Sequence, residues 1–176
     1  MKSLACVVGV AVAWLLLFKM NMSMFYYFKQ THFISWIFLP AGLRMVAILL
    51  FGEIAVIGLF IGALLTGASL GIGLSTSLVL SLISAINPYI SLSLTKYFLK
   101  IDDLLSSLSA PQLLTLSLAS ALFSGICHNI YFYFMEMSEQ PLLDTVGMFT
   151  GDFVGCLLLL YTLSFAIKLI RKSAAQ

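Results

Sequence analysis

Five polar or ionisable side chains stand inside long apolar runs of this 176-residue sequence: Arg44, Asn87, His128, Asn129 and Asp152. A charge at membrane depth costs a few kcal/mol, and such a residue usually faces the interior of a helix bundle beside a partner. Arg44 and Asp152 are therefore expected to form a buried ion pair, with His128 and Asn129 on the same polar pocket. Two readings are open. The layer is a ligand-binding pocket, or it is a staple that only fixes helix positions, because buried polar groups must be satisfied somewhere. Lys96, Lys100, Lys168 and Glu53 fall close enough to span ends to reach an interface by extending their side chains.

Catalytic and metal chemistry have little support. Ser124 and His128 are four apart, which puts both on one helix face. A serine nucleophile also needs an oriented base and an oxyanion site, and no pattern here supplies them. Ser124, preceded by Leu122-Phe123, does not stand in the Gly-x-Ser setting of the intramembrane serine proteases. Cys6, Cys127 and Cys156 lie far apart in apolar stretches, with neither metal-ligand nor disulfide-framework spacing, and read as small buried hydrophobes. No His-x-x-x-His or Cys/His cluster points to a metal, and no Gly-rich loop follows a strand to bind a nucleotide. A non-enzymatic protein without a cofactor is expected.

The elements that position these residues follow from composition. The chain is 61% hydrophobic and 9% charged, with a mean hydropathy of +1.09. Soluble domains carry about 25% charged residues, so a water-soluble monomer is excluded. A net charge of +2 is too small to argue for nucleic acid. With about 20 apolar residues per span, five or six spans consume most of the chain, leaving short loops around a single integral membrane domain, residues 1–176, whose main partner is the lipid bilayer. The reading is an all-α polytopic bundle of about six spans, at 3–18, 33–51, 54–70, 74–99, 111–135 and 146–167. The first follows Lys2 but has no small-x-small cleavage site after it, so it is read as retained. Gly52-Glu53 and Gly71-Ile72-Gly73 mark turns, Pro88 marks a kink in the fourth span, and Pro111 suits a first helical turn.

Orientation follows from the basic residues. Six spans put both termini on one side, with Lys2, Lys96, Lys100, Lys168, Arg171 and Lys172; the other side holds Lys19 and Lys29 with Glu136, Glu139 and Asp144. Both termini are expected in the cytoplasm. The clusters Phe25 to Phe28 and Tyr131 to Phe134 then fall at the outer interface, where aromatic belts form. At 1.5 Å per residue, Arg44 lies roughly 16 Å and Asp152 roughly 9 Å below that surface, in one layer of the outer half. Gly147, Gly151 and Gly155 share one face of the sixth span, and Gly58 and Gly62 one face of the third. Such rows let backbones approach closely.

A family resemblance comes from longer stretches. The run from Trp36 through Pro40-Ala41-Gly42-Leu43 to Arg44, then Leu49-Leu50-Phe51-Gly52 and Ile57 to Ala63, resembles the opening of the MASE1 integral membrane sensor domain. Gly151-Asp152-Phe153-Val154-Gly155 is similar to its Gly-Asp-x-x-Gly element, and Asn87 falls at a polar position between them. The resemblance runs from Phe33 to Leu169. It implies a sensory module of a bacterial inner membrane. Members usually have about eight spans ahead of a histidine kinase or a cyclic-dinucleotide enzyme. This chain has about six, and no output domain follows Arg171-Lys172, so signalling through a separate partner protein is expected. No ligand role carries over to Arg44. Two other functions fit six spans of this size: the substrate-binding component of a vitamin-type transporter, and a membrane scaffold or assembly protein.

Overall fold

The computed structural model describes residues 2–31, 34–99 and 109–173, and these fold into six helices with no β-strand among them. Helix α1 covers Lys2–Met24 and ends in a single 3-10 turn, Tyr26–Phe28; α2 covers Leu39–Phe51, α3 Glu53–Ser69, α4 Leu74–Leu99, α5 Ala110–Phe134 and α6 Pro141–Ser173. Helices α1, α4, α5 and α6 are long and apolar enough to cross a membrane; α2 and α3 are equally apolar but shorter. The 13 residues of α2 reach about 20 Å at 1.5 Å per residue, against about 30 Å of hydrocarbon.

The sixth helix is longer than the expected 146–167 at both ends, and the second departs from its expected span in kind. Residues 33–51 were expected as one helix, but only Leu39–Phe51 is helical. Pro40 sits in the first turn. A helix continued backwards through it would lose the bond to the Trp36 carbonyl and press the ring against that group. Residues 34–38 instead run as non-helical backbone, with one antiparallel bridge from Ser35 to Lys29. Trp36 N donates to Phe28 O at 2.9 Å and Phe38 N to Gly151 O at 3.0 Å. Asn21 of α1, 0% exposed, accepts from Leu39 N at 2.8 Å and donates to Ile37 O at 3.1 Å. Non-helical backbone inside a membrane bundle is tolerated only where protein satisfies it in this way.

The glycine rows explain how that segment fits. A methyl group on Gly151 would collide with the Ser35 carbonyl, one on Gly155 with the Phe38 carbonyl, and one on Gly147 with the Gln30 side chain. The face of α6 expected to receive another helix therefore receives the non-helical segment. Gly58 and Gly62 do meet a helix: a Cβ there would stand 2.7 Å from Val7 O and 2.8 Å from Trp14 Cβ of α1. Gly52, at φ +59° and ψ −138°, turns α2 directly into α3 in a conformation open essentially to glycine alone.

Helix α2 is thereby central and touches α1, α3, α4, α5 and α6. Its inner face supplies Met45, Ala47 and Ile48 to a core shared with Val10, Trp14, Leu59, Ala85 and Leu116. Pro88 lies within an unbroken α4. The first helix runs six residues further than the expected end at 18, and Lys100 of the orientation argument lies outside the described residues.

Candidate functional site: a buried polar cavity

All six helices contribute to the lining of the cavity, and α2 contributes one residue, Arg44. Arg44, one and a half turns into α2, is 2% exposed and extends its guanidinium to α6 and α5. Its Nη2 donates to Asp152 Oδ2 at 2.5 Å and its Nη1 to Ser124 Oγ at 3.3 Å. Asp152 is 3% exposed; the glycines on either side of it, Gly151 and Gly155, bring α6 against the segment that leads into Arg44. Arg44 Nε is buried and has no hydrogen-bond partner among the described residues. The guanidinium also lies 5.9 Å over the Phe38 ring.

His128 joins the same group through Ser124. Its Nδ1 is 2.9 Å from the Ser124 carbonyl oxygen, and its Nε2 is 3.1 Å from Ser84 Oγ on α4. A carbonyl only accepts, so the contact to the Ser124 oxygen is a hydrogen bond when Nδ1 carries the proton, and in that tautomer Nε2 accepts from the Ser84 hydroxyl. Ser124 thus links cation and imidazole: its hydroxyl receives Arg44 while its carbonyl receives His128.

These groups line one cavity of about 150 Å³. Its polar side holds Arg44, Asp152, His128, Ser84, Ser81 and Ser124, and its apolar side Trp14, Phe18, Phe38 and Phe132. Trp14 is fixed by an Nε1–H bond to Thr66 Oγ1 at 3.1 Å and by an edge-on contact with Phe38 at 6.3 Å. Lys29, Leu70 and Ile72 also line it, at the end of the bundle where α1 and α3 finish and α4 begins. The same end carries the exposed aromatics Tyr26, Tyr27, Tyr133 and Phe134.

Of the residues singled out in the sequence, Arg44, His128 and Asp152 are brought together. Asn87 and Asn129 are not among the cavity's lining residues. Asn87 turns towards α5 and donates to the Ser120 carbonyl at 3.1 Å, while its Oδ1 receives Ser91. Asn129 donates back to Gly125 O at 2.8 Å within its own helix. Both are buried; the amide of each donates to backbone, and Asn129 Oδ1 has no hydrogen-bond partner among the described residues. Sequence reasoning passed over Ser84, Ser81, Trp14 and Asn21. An asparagine in an otherwise apolar stretch was the available signal for Asn21, and it was masked by placing the end of the first span at residue 18. No group of three or more His, Cys, Asp or Glu side chains able to hold a metal ion occurs among the described residues.

Fold and site together define a class: an α-helical membrane protein with an ion-paired, partly aromatic cavity inside its bundle. Comparison with protein-family models, with curated proteins and with solved structures finds no match to this chain.

Proposed function

We propose that this chain is a non-enzymatic, sensor-like module of a bacterial inner membrane that binds a small ligand in the Arg44–Asp152–His128 cavity and acts through a partner protein. The observation that carries the reading is the state of Arg44. A guanidinium kept only to staple helices gains most when all its donors are paired, since an unpaired buried donor costs about 1–3 kcal/mol. Here Nε has no partner among the described residues, and Arg44 lines a cavity large enough for a ligand. The MASE1-like segments, Trp36 to Arg44 and Gly151 to Gly155, support the same reading, because they are the stretches that meet around this cavity. A ligand there would touch α2 directly, and α2 touches every other helix. Occupancy would be felt across the bundle without long-range transmission.

Native mass spectrometry of the protein gently extracted from its membrane, recording bound small molecules and proteins together, tests the proposal. A retained small molecule that is lost in Ser81→Leu, which fills the cavity, is the expected result. Recovery of neither ligand nor partner from a folded protein would return the polar layer to a purely structural role and favour a scaffold. Recovery with an ATPase and a coupling subunit would indicate transport instead.

A further inference from the structure

The chemistry of the cavity wall narrows what it takes. Among its lining residues Arg44 and Lys29 are cationic and Asp152 is anionic, so the wall carries an excess positive charge. Asp152 Oδ2 takes one Nη2 proton and Ser124 one Nη1 proton; each of those nitrogens keeps a second N–H, and Nε–H has no partner at all among the described residues. That donor needs an acceptor oxygen, and a low-dielectric site strengthens its attraction to a charged one. Trp14, Phe38 and Phe132 line the same cavity, with Phe38 packed under the guanidinium at 5.9 Å; these three aromatic surfaces suit an apolar body rather than a sugar or a hydrated ion. Volume sets the remaining limit. A cavity of about 150 Å³ lined by apolar side chains accepts a molecule the size of benzene, and the cavity here has about that volume. Lys29 stands at the open end, on the turn after α1, 5.2 Å over the Tyr26 ring, where it would meet an incoming anion first.

We infer that the cavity binds a small monocarboxylic acid with a compact apolar or aromatic body, its carboxylate at Arg44 and its body against Trp14, Phe38 and Phe132. This rests on the ligand-binding reading above and adds the ligand's class. A cation is disfavoured by the excess positive charge. A neutral isostere can satisfy Nε–H but forgoes the charge-assisted bond, which is roughly twice as strong as a neutral one.

The test uses the full chain in lipid nanodiscs, with empty nanodiscs as the blank, and three fluorinated probes followed by fluorine NMR: 4-fluorobenzoate, 4-fluorobenzamide and 4-fluorobenzylamine. Saturable binding of the benzoate, at least tenfold tighter than of the amide and undetectable for the amine, is expected. Arg44→Lys keeps the charge but lacks the planar fork, and is expected to weaken benzoate binding tenfold or more. If that variant does not fold, Lys29→Gln at the mouth serves, with threefold or greater weakening expected and more at low salt than at high. Amide or amine binding as tightly as the benzoate would overturn the acid class while leaving a ligand-binding cavity in place. Benzoate binding unchanged in both variants would overturn the assignment of its carboxylate to this wall. Binding of none of the three would overturn the acid class as well, and the retained-ligand measurement above then decides separately whether the cavity binds anything.

Discussion

At the scale of single residues, the Arg44–Asp152 pair sets the terms for everything around it. Each ion is almost wholly removed from solvent, so removing either one leaves an uncompensated buried charge, a loss of about 3–5 kcal/mol. Removing both leaves a void but no orphan charge. Arg44→Ala and Asp152→Ala are each expected to destabilise the protein strongly, and the double variant less than the sum of the two. Unfolding in mixed micelles, run as a double-mutant cycle, measures this; strictly additive losses would show that the two side chains act independently. The pairing itself was legible in the sequence, because two opposite charges in apolar runs have few other ways to be tolerated. Ser124 and Ser84 were less legible. Serine is common in these helices, and nothing in spacing alone shows that Ser84 of α4 will stand 3.1 Å from His128 of α5.

At the scale of elements, the controlling feature is the non-helical segment at 34–38 and the glycine face that accepts it. Gly151→Ala would drive a methyl group into the Ser35 carbonyl, backbone that cannot step aside without giving up the Phe38 N to Gly151 O bond. Overpacking of this kind costs about 1–3 kcal/mol, and the segment also carries Phe38 and leads into Arg44. Gly151→Ala is therefore expected to lower the melting temperature and to disturb the cavity together. Gly9→Ala on α1 meets nothing within 4 Å and should be neutral or stabilising, by up to about 1 kcal/mol. Parallel thermal melts of the two variants separate the close approach from glycine flexibility in general; equal effects would refute the steric account. The row at 147, 151 and 155 was visible in the sequence as a packing face, but its partner was not. Hydropathy scores an apolar stretch of non-helical backbone and an apolar helix alike, so only Pro40 hinted that the helix begins where it does.

At the scale of the whole molecule, the open end of the cavity, the aromatic clusters and Lys29 lie together, and the expectation from the distribution of lysine and arginine is that this end faces outside. In a background lacking Cys6, Cys127 and Cys156, single cysteines at Glu139, between α5 and α6, and at Ser109, before α5, report the two ends. Both positions are exposed. A membrane-impermeant maleimide is expected to label E139C on intact cells and S109C only after permeabilisation. The reverse pattern would turn the bundle over and open the cavity to the cytoplasm. Membrane character, the helical class, the number of apolar helices and the presence of an expensive polar layer were all determined by the sequence itself. Composition and period are local properties, and lipid leaves the backbone few alternatives to the helix. What only the tertiary structure decided is which of those elements is central and which polar groups share a space. The brevity of α2, its capping by Asn21 from another helix, and the turning of Asn87 and Asn129 away from the cavity while Ser84 and Trp14 face it all depend on contacts between segments far apart in the chain. Such contacts are fixed by how volumes fit in three dimensions, and a one-dimensional pattern does not carry that information.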